Sequence, residues 1–220
     1  ESLAGFGHST IDELLPGGGL ALGAVTELRA SGAASGATTL ALRACRAVQS
    51  RQRERRCVFI DPRGTLFAPA VVRLGVDLER LIVVRPSWSE LESVAVLVAD
   101  AHVASLLVLD LQDAPTPAAR RAEPAAPAAR PANDAGLLAR LSLAIEGSTT
   151  SVLLLTRSER LDEPLAPGVA ARLVSTRVSE HALQLVAQGR PLRRGPTRVV
   201  PWSQIATLDD LHVPGAADGA

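Results

Sequence analysis

Hydrophobic and polar positions along the chain follow two alternating patterns. Short apolar runs, typical of strands buried on both faces, alternate with longer segments in which apolar residues recur every three or four positions, as in amphipathic helices. The predicted strands are 23–30, 56–61, 79–85 and 105–111, and the predicted helices are 38–50, 67–74 and 90–103. This alternation predicts an α/β fold with a mostly parallel central sheet flanked by helices.

The pattern changes after the fourth predicted strand. Residues 113–135 are rich in proline and alanine and show no apolar period, so we predict a flexible loop there. It is not a domain boundary, because the helix-like LLARLSLAIEG and the strand-like TSVLLLTR resume the alternation. In 171–202, short apolar runs joined by polar turns predict antiparallel strands that extend the sheet. We therefore expect one domain over 1–220, with a frayed tail at 212–220.

Composition narrows the classes of function. The net charge is zero, so any contact with nucleic acid needs a local basic patch. The histidines and cysteines lack the spacing of metal ligands, and no metal site is predicted. The longest apolar runs are too short to span a bilayer, so no membrane contact is expected. Cys45 and Cys57 form no paired motif, which fits a reducing compartment, and we expect a cytoplasmic protein.

The stretch ELRASGAASGATTLALRA, residues 27–44, has the layout of a phosphate-binding loop between a strand and a helix. In such loops, backbone N–H groups and a helix N-terminus point at one anion. Gly36 permits the close approach of the backbone, and Thr38 and Thr39 supply the hydroxyl that would hold Mg²⁺. Asp110 ends a buried strand, where a second acid would orient the metal.

The loop departs from the motif G-x-x-x-x-G-K-[ST] at two positions. Ser31 stands in place of the first glycine and Ala37 in place of the lysine, and the chain contains no lysine at all. The lysine bridges the β- and γ-phosphates, and an alanine methyl group offers no substitute. The sequence thus predicts the scaffold of a nucleotide site without its main cation.

The order of these motifs resembles the core of the RecA recombinase. Residues 9–42 and 57–86, followed by LLVLDL, match the RecA pattern in the same order, and the resemblance covers about residues 9–202. It implies a RecA-like domain. The family's self-polymerisation segment lies upstream of this core, and the chain begins almost at the core. We therefore expect no RecA-type self-filament.

The resemblance also implies four lost requirements of ATP binding and hydrolysis. Besides the lysine, the catalytic glutamate is replaced by Arg63, the adenine-stacking tyrosine falls at Ala70, and a neighbouring aspartate is replaced by Phe67. A guanidinium cannot take a proton from attacking water. We expect no enzyme activity and no bound cofactor. The vestigial phosphate loop comprises Gly32, Ser35, Gly36, Ala37, Thr38 and Thr39.

Two readings of Arg63 remain open. Arg63 and Asp110 follow neighbouring strands at one edge of the predicted sheet, so an ion pair between them could fill the emptied pocket and neutralise the buried acid. Alternatively, Arg63 points to solvent.

Two arginine clusters are candidates for contact with DNA or with an acidic protein surface, and any contact with DNA is expected to be weak. The first cluster lies in the Pro/Ala segment and the second around a hairpin-like turn; in both, a solvated surface is the alternative. The candidates are Arg120, Arg121, Arg130, Arg190, Arg193, Arg194 and Arg198.

Among RecA-like proteins, a short chain with a degenerate phosphate loop most resembles ImuA. That family is an accessory factor of DNA-damage-induced mutagenesis. The resemblance implies binding to RecA and to ImuB, an inactive Y-family polymerase homologue, and an indirect link to an error-prone C-family polymerase. Two alternatives stay open: a cell-division inhibitor of the SulA type, and a divergent RecA-like NTPase.

Overall fold

The computed structural model of the protein describes residues 5–51, 54–114, 135–158, 163–189 and 195–206. The strands are β1 (Val25–Ser31), β2 (Cys57–Ile60), β3 (Leu81–Val84), β4 (Leu106–Asp110), β5 (Ser151–Arg157), β6 (Val169–Ser179), β7 (Ala182–Gly189) and β8 (Thr197–Pro201). The helices are α1 (Ser9–Asp12), α2 (Ala37–Arg51), α3 (Ala68–Arg73), α4 (Leu91–Asp100), α5 (Ala135–Ile145) and α6 (Trp202–Ala206). Single 3₁₀ turns lie at Pro16–Gly18 and Leu78–Arg80.

All described strands form one eight-stranded sheet in the order β3-β2-β4-β5-β1-β6-β7-β8. Strands β1 to β6 pair in parallel, while β7 and β8 add antiparallel pairs at one side. The predicted fold class is therefore confirmed. The antiparallel extension is confirmed for β7 and β8, whereas β6 continues the parallel part of the sheet beside β1.

Two layers of helices cover the sheet, and the apolar period of each helix determines the side that it buries. On one face, α2 presents Leu40, Ala44 and Val48 to the sheet, and its many alanines let helix and sheet approach closely. On the other face, α4 buries Leu91, Ala95 and Ala99 beside α5. Because β1 to β6 run parallel, their carboxyl ends lie at one edge of the sheet, where α2 begins.

Most helix boundaries lie close to the predicted ones, and the largest difference has a backbone cause. The helix predicted over 90–103 ends at Asp100, because His102 takes a left-handed φ of 50° that cannot continue a helix. Most of the predicted flexible loop at 113–135 and all of the predicted tail at 212–220 lie outside the described residues. Among the helices that the structure describes, none has the length and apolar character needed to cross a bilayer.

Candidate functional site

A polar cleft lies at the carboxyl ends of β1, β4 and β5, at the N-terminus of α2. Its volume is about 360 Å³. Its lining residues are Ala34, Ser35, Gly36, Ala37, Thr38, Thr39, Thr65, Asp110, Gln112, Asp113, Arg157, Arg177 and Trp202. The structure thus brings the predicted phosphate loop and Asp110 together in one place. This follows from the topology, since the ends of parallel strands in an open α/β sheet meet at one edge.

The loop between β1 and α2 turns through left-handed backbone conformations. Gly32 has a φ of 84° and Gly36 a φ of 75°, while Ala34 takes 54° at a steric cost. Gly36 is also closely packed: a Cβ atom there would lie 2.7 Å from Leu183 Cδ1 and 2.8 Å from Trp202 Cζ3. Position 36 therefore requires glycine for its conformation and for the space beside Trp202.

The start of α2 fixes the positions of the loop side chains. Ala37 is the first helical residue and is buried, with 2% of its surface exposed. The Ser175 hydroxyl of β6 donates a hydrogen bond to the Ser35 carbonyl, which ties the loop to the sheet. At the position where the motif has a lysine, the chain therefore places only a buried methyl group.

A hydrogen-bonded bridge joins the phosphate loop to the end of β4. The Gln112 amide nitrogen donates to Thr38 Oγ1 at 3.1 Å and to Asp110 Oδ1 at 3.2 Å. The Gln112 backbone N–H donates to the same Asp110 oxygen at 3.1 Å. Burial raises the pKa of Asp110, as do the Asp61 and Asp113 carboxylates to a smaller extent, and the two Gln112 bonds offset part of this rise.

The hypothesis of an ion pair between Arg63 and Asp110 is wrong. The neighbour of Asp110 is instead Asp61, just after β2, which is buried and accepts hydrogen bonds from the backbone N–H groups of Thr65 and Leu66 at 3.0 and 2.9 Å. These bonds, with one from the Gly64 N–H to the Asp61 carbonyl, fold residues 61–66 into a tight turn.

Arg63 occupies the tip of this turn. Its Nη1 atom lies 3.9 Å from Asp113 Oδ2, and half of its side chain is exposed. This geometry agrees better with the alternative hypothesis, in which Arg63 faces solvent. Of the two acids at the ends of β2 and β4, the buried Asp61 is the one that faces an arginine: its Oδ2 lies 3.6 Å from Arg85 Nε.

Two arginines that line the cleft are engaged by other groups. Arg157, at the end of β5, donates to Asp113 at 2.8 Å. Arg177 donates to the carbonyls of Ser179 and Glu180, and its guanidinium stacks on the Trp202 ring at 4.4 Å from the centroid. Each guanidinium already has partners, so neither one stands as a free cation for a phosphate.

Behind β1, on the face covered by α4 and α5, lies a buried network of charged residues. Glu27 accepts from Arg172 at 2.6 Å, from Arg29 at 3.0 Å and from the Thr156 hydroxyl at 2.6 Å. Burial would raise the pKa of Glu27, but the neighbouring Arg172, Thr156 and Arg29 outweigh it and lower the pKa below its ordinary value. Arg29 is therefore a structural residue of this network.

Comparison with known proteins agrees with the fold. Residues 2–153 match the family model of the RecA N-terminal domain, which is well over half of the chain. The chain belongs to the RecA family. No curated protein matches it significantly. The RecA-like resemblance stated from the motifs is thereby confirmed at the level of the superfamily.

The other residues that the sequence singled out in this RecA-like chain fall into three groups. Arg198 is described, and it lies exposed on β8 with one bond to the Thr197 carbonyl. The remaining candidate arginines lie outside the described residues: Arg120, Arg121, Arg130, Arg190, Arg193 and Arg194. Phe67 and Ala70 are exposed on and beside α3 and do not line the cleft.

Sequence reasoning missed Gln112, Arg157, Arg177 and Trp202. A signal existed for the first two, because Gln112 is the first polar side chain after Asp110 and Arg157 ends the predicted strand TSVLLLTR. Residues that follow parallel strands are expected at the same sheet edge. Arg177 and Trp202 were missed because 171–202 was predicted to form antiparallel strands. In the structure Arg177 lies near the carboxyl end of β6, which runs parallel to β1, and Trp202 begins α6.

Proposed function

We propose that this chain is a catalytically inactive RecA-like accessory protein of DNA-damage-induced mutagenesis, acting in translesion DNA synthesis by binding partners. The partners are RecA and an ImuB-type inactive polymerase homologue, with an error-prone C-family polymerase reached indirectly. The observation that carries the proposal is the cleft itself, where a buried alanine starts α2 and the nearby arginines are engaged by other groups.

Several features of the cleft support a role without ATP turnover. The β- and γ-phosphates of a bound nucleotide would meet Ala37 in place of a cation. A water molecule beside the γ-phosphate would meet no general base at position 63, since that residue is an arginine whose neighbour is Asp113. The ring of Trp202 lies against Gly36, where the backbone of an active phosphate loop approaches its anion.

One edge of the sheet supports a role in binding partners. Strand β3 is one of the two edge strands of the described sheet, and it exposes Ile82 and Val83 by 43% and 39%. Phe67, Val72 and Leu78, nearby in the chain, are also exposed apolar side chains. An edge strand of this kind can pair with a strand from another protein, and its exposed side chains can select that partner. The identity of the partners comes from the resemblance to ImuA.

The first test measures nucleotide binding by calorimetry, with Mg²⁺–ATP titrated into the protein and a catalytically competent RecA as positive control. We expect no heat of binding at millimolar nucleotide and no phosphate release. Tight binding or turnover that survives purification would instead favour the divergent NTPase.

The second test is a pull-down with RecA, the ImuB-type protein and the tubulin-like division protein. We expect capture of the first two, and the substitution Ile82→Lys on β3 should weaken capture of RecA at least tenfold. A matched control is Val199→Lys on β8, the opposite edge strand, where the side chain is 59% exposed. Capture of the division protein alone would favour the SulA-type inhibitor.

A further inference from the structure

The Gln112 amide lies between the two oxygens that a nucleotide-bound metal would use in this fold. Its nitrogen has two hydrogens, and the two acceptors are Thr38 Oγ1 at 3.1 Å and Asp110 Oδ1 at 3.2 Å. The carboxylate can only accept, so the nitrogen, not the amide oxygen, must face Asp110. Both donors of the group are therefore used, and both oxygens are directed at the amide.

The surroundings of this bridge are rich in acidic groups, so a cation would be attracted there unless the acids were satisfied in other ways. Each of the three neighbouring carboxylates has its own donors. Asp61 accepts from Thr65 and Leu66, and Asp113 accepts from Arg157. Asp110 has no arginine or histidine within ion-pair distance among the described residues, and it accepts from the backbone and side chain of Gln112. Gln112 thus supplies the partial positive charge that Asp110 needs.

We propose that Gln112 itself occupies the cation position, so that an amide group, in place of a metal ion, joins the phosphate loop to β4. The residues present do not fit Mg²⁺, because both oxygens already accept N–H bonds and the amide group fills the space between them. This inference deepens the proposed function and rests on it in one respect: both require a cleft that does not use nucleotide. If Gln112 holds the loop in this way, the loop surface around Gly36 and Trp202 is preformed. Partner binding is then independent of the nucleotide state.

The test measures thermal unfolding of the full chain in EDTA and in 10 mM MgCl₂, without nucleotide. The wild type should melt at the same temperature in both. Gln112→Glu places a carboxylate beside Asp110, so this variant should lose several degrees in EDTA, and Mg²⁺ should restore roughly 3 °C or more. The matched control is Gln184→Ala on β7, which should respond to Mg²⁺ no more than the wild type.

A second pair of variants keeps the inference testable if Gln112→Glu does not fold. Thr38→Val removes one acceptor of the amide and should lower the melting temperature in EDTA, whereas Thr38→Ser keeps the hydroxyl and should not. A wild type stabilised by Mg²⁺ alone would overturn the inference, as would equal melting of the two Thr38 variants. A Gln112→Glu variant that folds but does not respond to Mg²⁺ would also overturn it.

These readouts are separate from the test of the proposed function, which measures nucleotide binding and partner capture. A wild type that bound Mg²⁺–ATP would contradict the proposed function. The response of Gln112→Glu to Mg²⁺ alone reports only on the position of the amide.

Discussion

Arg172 offers the sharpest test of how this sheet is stabilised. Its side chain is 1% exposed and lies on β6. The guanidinium donates to Glu27 at 2.6 Å, to the Glu163 carbonyl at 2.7 Å, to Gln188 at 3.1 Å and to the Pro164 carbonyl at 3.3 Å. The substitution Arg172→Met keeps the apolar stem and removes all four bonds, so it isolates the role of the guanidinium group.

The expected loss of stability follows from the buried Glu27 carboxylate that remains after Arg172 is replaced. Glu27 is 3% exposed, and without Arg172 its side-chain partners within the described part of the chain are Arg29 and the Thr156 hydroxyl. Breaking a buried ion pair by removing one partner typically costs about 3–5 kcal/mol. Here Arg29 still compensates part of the Glu27 charge, but the three other bonds of Arg172 are lost as well. In a domain of this size that loss corresponds to roughly 6–20 °C in melting temperature. The double variant with Glu27→Gln should lose less than the two single variants added together, by about 1–3 kcal/mol.

The assay is urea unfolding followed by circular dichroism, with the exposed Arg198→Met on β8 as the matched control. The pKa of Glu27 is lowered in the folded protein, so its pairing stabilises the fold above the ordinary glutamate pKa of 4.5 and is lost as pH falls. Arg172→Met should therefore also weaken the dependence of stability on pH below 4.5. An unfolding free energy of Arg172→Met within about 1 kcal/mol of the wild type would show that the network does not stabilise the sheet.

Three further predictions concern the cleft and its supports. Gly36→Ala should lower the free energy of unfolding in urea by about 2–4 kcal/mol, because the positive φ of Gly36 disfavours a side chain and the added Cβ would clash with Trp202. An unchanged unfolding midpoint would contradict this packing. Arg43→Met should lower the free energy of unfolding by about 2–4 kcal/mol and expose α6 to limited proteolysis, since Arg43 donates to four carbonyls of the N-terminal segment and α6. Protease resistance equal to that of the wild type would contradict this prediction. Asp110→Asn should leave the free energy of unfolding at pH 7 unchanged or raise it by up to about 1 kcal/mol. The pKa of Asp110 is raised in the folded protein, so its ionisation opposes folding as pH rises through the folded pKa. A loss of more than about 1 kcal/mol, measured by urea unfolding at pH 5 and 7, would show that the carboxylate is required.

The sheet could largely be predicted, because its strands are short apolar runs and its helices have clear periods. The predicted helix 38–50 differs by one residue at each end from α2, and Asp110 ends β4 as expected. The loop between β1 and α2 was also predicted from local signals, since glycine, serine and threonine follow a strand directly. These features depend on neighbours in the chain, so a local pattern suffices to find them.

The contacts of the charged residues could not be predicted in the same way. Neighbouring strands put Arg63 and Asp110 at one edge, yet the turn after Asp61 directs Arg63 to Asp113. The cysteines show the same limit: Cys57 Sγ lies 3.6 Å from the Cys45 carbonyl, although their spacing matches no paired motif.

The sequence by itself determined the α/β class, the order of the core elements, the glycine-rich loop between β1 and α2 and the absence of lysine from it, because each depends on residues that are neighbours in the chain. Only the tertiary structure decided the partners of each charge. Gln112 reaches Thr38 and Arg172 reaches Glu27 across 74 and 145 positions of the chain. Hydrogen bonds depend on distances of a few tenths of an ångström and on direction, and the packing of the whole sheet fixes both.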